Sequence, residues 1–180
     1  YTLTQHVNSV GTCFTITSSH ILLDCKGYTI NYSTSVLETG YCIFNDDKDN
    51  ITIQNCRIEE GNTTVDSKYG IFFRANNNLV ERITIWNNTF LTIGNSGYAM
   101  YLLGVRYANI STNTIDTYGD QGYGIKMGAY FSLTPAHNRI VGNSMLLRVR
   151  PSGINIGDTN NITIEENRIN SSGSDVAGVL

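Results

Sequence analysis

The sequence predicts an all-β chain folded as a solenoid of about six coils, and two observations lead to this prediction. The first is composition, because 21 of the 180 residues are Asn, 17 Gly, 11 Tyr and 6 Phe, whereas charged residues make only 15%. Aromatic and β-branched residues favour strands, and Asn and Gly favour turns. The second is an internal repeat with steps of 25 to 29 residues. Repeats of this length are typical of solenoids.

The first repeated motif is a small residue followed by alternating apolar positions, as in YCIFN, YGIFF and YGIKM. Alternation with a period of two predicts a strand with one inward face. We expect its inward residues to stack as a column from coil to coil, with Asn45 as the polar exception. The small residue recurs as Cys13, Cys42, Gly70, Ala99, Gly124, Gly153 and Gly178.

The second motif appears as ITIQNCRI, ITIWNNTF and ITIEENRI, and its central residues are Ile53, Ile85, Ile110, Ile140 and Ile164. In the third and fifth coils about five extra residues separate the two motifs, which predicts insertions at one turn. Three residues past each central isoleucine stands the column Cys56, Asn88, Asn113, Asn143 and Asn167. Asn tolerates the left-handed conformation, so we expect this column to form a tight turn on every coil.

Two short strands and a turn per repeat describe one coil, whose strands pair in parallel with their copies in the next coil. A leucine-rich repeat is the alternative, because ITIEENRI fits its pattern, but no helical half-repeat accompanies that segment. We expect a single domain over residues 1–180. It has an N-terminal segment at 1–12, six coils over 13–176 and the start of a seventh coil at 177–180.

The opening segments YTLTQ and GTCFTITSSHILLDCKGYTI, together with the asparagine column, resemble the right-handed parallel β-helix repeats of the pectin lyase-like superfamily. Within it, the resemblance is particularly to NosD-like surface repeat proteins. It covers essentially the whole chain and implies a right-handed parallel β-helix. It says little about function, since the superfamily includes lyases, hydrolases, epimerases, adhesins and plain scaffolds.

Charge and hydropathy argue against several classes of partner. The net charge of −3 provides no basic surface for nucleic acid. No apolar run approaches the roughly 18 residues of a membrane-spanning helix. His6, His20 and His137 share no repeat position in adjacent coils, so we expect no metal site and no cofactor.

Enzymes of this superfamily carry a charged site on the outer surface, and the residues that could form one here are Asp116, Asp120, Lys126, Arg148 and Arg150. The polygalacturonase-like segments NTD, GHG and RIK are not reproduced, and the epimerase motif YGFDPH is absent. Asp120 and Arg150 each lie ten residues after their central isoleucine, so we expect them to form a surface ion pair. Catalysis is therefore not the favoured interpretation, although it stays open.

Aromatic residues are more regularly placed than the charges. A tyrosine column precedes the small residue at Tyr41, Tyr69, Tyr98 and Tyr123, and an outward stripe follows at Phe44, Phe72 and Tyr101. An exposed stripe of this kind favours a contact surface covered by another chain or a sugar. Stacked aromatics also stabilise sheets by cross-strand packing alone, so both interpretations stay open.

Four cysteines within the first 56 residues, without CxxC spacing, indicate structural disulfides in an oxidising compartment. Cys13 and Cys42 share a repeat position in adjacent coils, and Cys25 and Cys56 nearly do. Adjacent strands lie about 4.8 Å apart, within the range of a disulfide. We predict the pairs 13–42 and 25–56. The resemblance of the first coil keeps the within-coil pairs 13–25 and 42–56 open.

Seven Asn-X-Ser/Thr sequons are candidate glycosylation sites, at Asn31, Asn50, Asn62, Asn87, Asn109, Asn161 and Asn170. The repeated NIT segment produces some of them. If a glycosylating cell secretes this chain, its surface could carry sugars.

These features predict an extracellular structural β-solenoid that acts at a cell surface as an adhesin or filament subunit. Carbohydrate binding or polysaccharide degradation is the rival interpretation. The short insertions favour the structural role, because enzymes on this scaffold build long loops around a cleft. The expected partners are surface glycans and copies of this chain joined head to tail, with residues 1–10 of one copy completing the last coil of another.

Overall fold

The computed structural model describes residues 1–35, 40–62, 67–150, 152–172 and 178–179. Within these ranges the chain forms 21 short β-strands and no α-helix. The predicted all-β class is confirmed.

Three parallel sheets run along the solenoid, and each full coil contributes one strand to each sheet. Sheet 1 contains β2 (Phe14–Ile16), β5 (Tyr41–Asp46), β8 (Tyr69–Arg74), β12 (Tyr98–Leu103), β16 (Tyr123–Gly128) and β19 (Ser152–Ile156). Sheet 2 contains β3 (Ile21–Asp24), β6 (Ile51–Gln54), β10 (Ile83–Trp86), β14 (Asn109–Ser111), β17 (Arg139–Val141) and β20 (Thr163–Glu165).

Sheet 3 has seven strands, because one strand from the N-terminal segment precedes the first coil. It contains β1 (Val7–Asn8), β4 (Thr29–Tyr32), β7 (Arg57–Glu60), β11 (Thr89–Thr92), β15 (Thr114–Thr117), β18 (Ser144–Leu147) and β21 (Arg168–Ser171). A separate two-stranded pair joins β9 (Val80–Glu81) and β13 (Val105–Arg106).

Every strand in the three large sheets pairs in parallel with its equivalent one coil away. In sheet 2, for example, Ile85 lies between Ile53 and Ile110. Sheets 1 and 2 have six strands each, so the chain makes about five full turns between its first and last coils. The first inward position of the first motif is fully buried from the second coil to the sixth, as predicted, at Ile43, Ile71, Met100, Ile125 and Ile154.

The number of strands per coil differs from the prediction, because each coil has three strands and not two. The third strand begins directly after the asparagine column and has its own inward residues. Ile58, Phe90 and Ile115 are buried there in register with one another. The turn at the asparagine column redirects the chain enough for this segment to join a separate sheet.

The asparagine column forms the predicted turn by a different mechanism. The residues with positive φ precede it, at Asn55, Asn87, Thr112, Gly142 and Glu166. Asn88, Asn113 and Asn143 are instead buried, and their side chains hydrogen-bond along the axis. For example, Asn113 Nδ2 donates to Ile85 O at 2.9 Å and to Asn143 Oδ1 at 2.9 Å. The column is therefore an internal amide ladder.

The N-terminal segment lies on the first coil of its own chain. β1 pairs with β4, with Val7 opposite Ile30, and Thr2 bridges to Asp24. At the other end, Val179 forms a parallel bridge with Ile154, which is where a seventh coil would add to sheet 1. Ala177 and Leu180 of that predicted coil lie outside the described residues.

Candidate functional site on the aromatic face

The most regular feature of the surface is the outward side of sheet 1, which we call the aromatic face. On this face the same pattern repeats in β5, β8, β12 and β16, each of which begins with a tyrosine. The second outward position, three residues later, holds an aromatic ring on three strands and a lysine on the fourth. The face consists of Tyr41, Phe44, Tyr69, Phe72, Tyr98, Tyr101, Tyr123 and Lys126.

The strand register places these side chains in two columns. Tyr98 pairs with Tyr69 on one side and with Tyr123 on the other. Tyr101 lies between Phe72 and Lys126. The sequence predicted both columns, and the structure joins them into one surface. The two columns lie on the same side of the sheet because two consecutive residues between them are buried, as Cys42 and Ile43 are in β5.

The rings stack mainly on one another along the solenoid axis. Tyr41 and Tyr69 are stacked at 5.6 Å between centroids with planes 10° apart, and Tyr69 and Tyr98 at 4.8 Å and 20°. Contacts between the columns are mostly edge-on, as between Tyr69 and Tyr101 at 5.1 Å and 77°. Phe72, at the centre, is only 8% exposed. Cross-strand packing therefore covers much of the stripe, and partly exposed tyrosines surround its centre.

One cation belongs to the aromatic face, Lys126, and another lies beside it, Arg74. The Lys126 ammonium lies 4.8 Å from the centroid of Tyr123 and 5.3 Å from that of Tyr101. The Arg74 guanidinium lies 5.3 Å from the centroid of Phe44 and forms an ion pair with Asp46 at 3.1 Å. Both arrangements place positive charge against the electron-rich ring faces. Arg74 and Asp46 were not predicted, although their equal positions in adjacent repeats could have indicated the pair.

Tyr69, Tyr98 and Tyr101 keep their protons at biological pH. Burial, assisted by the neighbouring Tyr69, raises the pKa of Tyr98 to about 12. Burial also raises the pKa of Tyr69 and of Tyr101. These phenols are therefore neutral groups that can both donate and accept hydrogen bonds.

The two predicted insertions follow sheet 1 at the same turn. In the third coil, the Asp47 carboxylate accepts hydrogen bonds from the backbone of Asn76 and Asn77, which fixes the inserted loop. In the fifth coil, the insertion carries Tyr130 and Phe131, whose rings meet edge-on at 4.6 Å. Phe131 is 82% exposed, and no repeat position indicated it.

The five charged residues proposed for a catalytic group do not converge. Arg148 forms a two-point ion pair with Asp116, at 2.8 and 2.9 Å. Arg150 does the same with Asp120, at 2.7 and 3.0 Å, which confirms the predicted surface ion pair. Lys126 lies apart from both pairs, on the aromatic face.

The cysteines follow the prediction only in part. Cys25 and Cys56 form a disulfide with a Cα–Cα distance of 4.7 Å, as predicted. Cys13 and Cys42, in contrast, are free thiols in the structure. The Cys13 thiol donates to the carbonyl oxygen of Asn31 at 3.7 Å.

All seven sequon asparagines lie outside sheet 1. Asn31, Asn109 and Asn170 lie on strands of sheets 2 and 3, and the other four lie at turns or strand ends. The exposed ones are Asn50, Asn87, Asn109, Asn161 and Asn170. Thr63 and Thr64 of the Asn62 sequon lie outside the described residues.

Two features are absent from the part of the chain that the structure describes. That part contains no group of three or more His, Cys, Asp or Glu residues that could hold a metal ion. It also contains no helix long and apolar enough to cross a membrane.

Comparison with known proteins identifies the family. Searches of curated proteins and of solved structures return no significant match. The family model for a right handed beta helix region matches residues 6–179, nearly the whole chain. With its three parallel sheets, continuous core and internal asparagine ladder, this chain belongs to the right-handed β-helix family.

Proposed function

We propose that this chain is an extracellular, non-catalytic structural β-solenoid that acts at a cell surface as an adhesin or filament subunit, with the aromatic face as its contact surface. The observation that carries this proposal is the unbroken aromatic face over four coils. A regular, partly apolar surface of this length suits association with another macromolecule.

The disulfide supports the extracellular part of the proposal. Cys25 and Cys56 are both buried and bonded across two coils. Structural disulfides persist in oxidising compartments and are rare in the cytosol.

The ion pairs support the non-catalytic part. A lyase of the expected type would need a basic residue free to take a proton beside a substrate carboxylate. Arg148 and Arg150 each direct their guanidinium groups at an aspartate of the preceding coil. This geometry is that of ion pairs that link adjacent coils, rather than that of a catalytic site.

The positions of the sequons support the choice of contact surface. If these asparagines are glycosylated, the sugars would cover sheets 2 and 3 and the turns, while sheet 1 would stay bare. A glycoprotein that must touch a partner needs a surface of this kind.

The tests are electron microscopy, sedimentation velocity and cell-adhesion assays on the secreted protein. We expect Tyr101→Glu and Lys126→Glu to weaken assembly or adhesion, because each puts a negative charge on the aromatic face. Trp86→Glu is the matched control, since Trp86 is 41% exposed on sheet 2. If both face variants assemble and adhere like the unmodified chain, the contact surface lies elsewhere. End-to-end joining of copies stays a prediction, and the same micrographs test it.

Carbohydrate binding is the second candidate, and Lys126 favours it. This ammonium forms no ion pair among the described residues and lies beside three tyrosines, Tyr98, Tyr101 and Tyr123. Tyr98 stacks on Tyr69 and Tyr101 on Phe72, and the Lys126 ammonium lies over the Tyr123 ring. Ring edges and hydroxyls rather than flat faces are therefore available. Such a surface would bind a polymer through hydrogen bonds.

Affinity electrophoresis in gels containing pectate, polygalacturonate or alginate tests the second candidate. Retardation that Lys126→Gln abolishes would support carbohydrate binding. The same polysaccharides, incubated with the chain with and without calcium, test for catalysis. Unsaturated or shortened products would overturn the non-catalytic role.

A further inference from the structure

Two free thiols face each other on the first two coils. β2 and β5 pair with Phe14 opposite Ile43, which places Cys13 opposite Cys42. The ladder continues to this position, because the Cys13 amide donates to Tyr41 O at 3.0 Å. Paired strands lie about 4.8 Å apart. This spacing falls within the Cα separations that a disulfide accepts.

The same two coils already carry one disulfide. Cys25 and Cys56 bridge them at the end of sheet 2, with Cα atoms 4.7 Å apart. The spacing between these coils is therefore suitable for a covalent link.

The two thiols differ in reactivity. Cys13 is half-buried, whereas Cys42 is fully buried. A hydrogen bond from Cys42 lowers the pKa of Cys13, although burial opposes this effect. Burial raises the pKa of Cys42 well above its ordinary value. The thiolate is the nucleophile in disulfide chemistry, so attack begins at Cys13.

We propose that Cys13 and Cys42 form a thiol–disulfide exchange site that reversibly links the first two coils and takes a small disulfide as its oxidant. The Cys13 thiolate attacks one sulfur of the small disulfide and expels a thiolate, giving a mixed disulfide at Cys13. Cys42 then loses its proton and attacks the Cys13 sulfur, which expels the second small thiolate. One disulfide is reduced to two thiols, and one protein disulfide forms.

The partial exposure of Cys13 separates this pair from the disulfide already present. Cys25 is fully buried and Cys56 is 3% exposed, so a small thiol has no ready approach to their sulfurs. Cys13 offers such an approach. The 13–42 bond should therefore open and close with the ratio of small thiols to small disulfides in solution, while the 25–56 bond persists.

The test uses the full chain equilibrated with mixtures of reduced and oxidised glutathione. Acid quenching, alkylation of the remaining thiols and peptide mass mapping then report each pair separately. We expect the 13–42 linked peptide to follow the glutathione ratio and the 25–56 peptide to stay constant. Reduction of 25–56 before 13–42, or a 13–42 pair that ignores the ratio, would overturn the proposal.

Single variants identify the attacking thiol. In Cys42→Ser, the mixed disulfide at Cys13 should accumulate, because no second thiol resolves it. In Cys13→Ser, the buried Cys42 should remain unmodified. Circular dichroism shows whether each variant is folded, and Cys25→Ser/Cys56→Ser is the control that should keep exchange at 13–42. If folded Cys42→Ser takes up no glutathione, Cys13 is not the entering thiol.

Discussion

The buried asparagines Asn88, Asn113 and Asn143 each make several hydrogen bonds to neighbouring coils. Asn113 Oδ1 accepts from the backbone and side-chain nitrogens of Asn88, at 3.0 and 3.1 Å. Its own Nδ2 donates to Ile85 O at 2.9 Å. An amide suits this place because it has both a donor and an acceptor at the end of one short side chain. Each turn thereby satisfies polar groups that would otherwise be buried without partners.

Replacing Asn113 by Ala should lower the free energy of unfolding by about 3 kcal/mol or more, because it leaves several buried groups of Asn88 and Ile85 without partners, at about 1 to 3 kcal/mol each. Urea denaturation measures the change. Asn109→Ala is the matched control, since Asn109 is exposed on the same coil, and it should change stability by less than about 0.5 kcal/mol. Equal effects of the two substitutions would contradict a structural role for the ladder.

Glu60 and Lys68 form a buried ion pair between the second and third coils. Their side chains are both 0% exposed, and Nζ and Oε1 lie 3.6 Å apart. Glu60 Oε2 also accepts from the amides of Ile93 and Gly94, at 2.8 and 3.0 Å. Burial raises the pKa of Glu60 despite these contacts. The folded chain therefore binds the carboxyl proton more tightly than the unfolded chain does.

This shift predicts how stability depends on pH. A carboxyl group with a raised folded-state pKa contributes stability below its ordinary value of 4.5 and loses it as pH rises through the folded-state pKa. We therefore expect the unmodified chain to lose stability relative to Glu60→Gln/Lys68→Met as pH rises from 4.5 towards neutral. The double variant avoids leaving an unpaired buried ammonium.

Denaturation series at several pH values measure this difference. Glu165→Gln serves as the control, because it removes one negative charge from a side chain that is 58% exposed. A difference between the unmodified chain and the double variant that stays constant across this pH range would contradict the prediction.

At the scale of the element, the small residue at the start of each sheet 1 strand allows neighbouring coils to approach closely. A Cβ atom added to Gly124 would lie 2.6 Å from Gly153 O and 3.0 Å from Met145 Sδ. A Cβ added to Gly70 would lie 2.6 Å from Ala99 O. The repeat keeps this position small because larger side chains would push adjacent backbones apart.

Gly124→Ala should destabilise the chain by about 1 to 3 kcal/mol, because the backbone of the next coil must shift. Gly157→Ala is the matched control: Gly157 is exposed, and an added Cβ meets no atom within 4 Å. It should instead stabilise by about 0.4 to 1 kcal/mol, since Ala restricts the unfolded chain. Thermal unfolding distinguishes the two outcomes, and a neutral Gly124→Ala would show that the coils can separate without cost.

At the scale of the whole molecule, stability depends on contacts between successive coils, since each strand pairs with the next coil along the axis. The ends of such a stack are held from one side only. The Cys25–Cys56 disulfide ties the first coil to the second across 31 residues of sequence. It therefore strengthens the end of the stack by restricting the unfolded chain.

Removing that disulfide with Cys25→Ser/Cys56→Ser should lower the free energy of unfolding by about 3 to 4 kcal/mol, the amount expected for a loop of this length. Guanidinium denaturation of the oxidised chain and of the variant measures the loss. Hydrogen exchange should locate the largest increase in β2 and β3, because they lie at one edge of their sheets. An increase spread evenly over all coils would argue against a local role for the disulfide.

The sequence alone determined the all-β fold class, the length of the repeat and whether most strand residues face inward or outward. A solenoid places equivalent positions directly above one another, so the period in the chain becomes the register in the sheet. Ile53, Ile85 and Ile110 therefore line up as the repeat predicts. The tyrosine column and the Asp120–Arg150 ion pair follow for the same reason.

Only the tertiary structure decided the features that depend on side-chain direction and burial. The sequence does not reveal that the asparagines point inward along the axis, that the tyrosine rings stack on one another, or that Glu60 and Lys68 meet in the interior. The third strand likewise depends on how the chain turns between coils. Periodicity specifies which residues are neighbours, but rotamers and packing against the adjacent coils determine what those neighbours do.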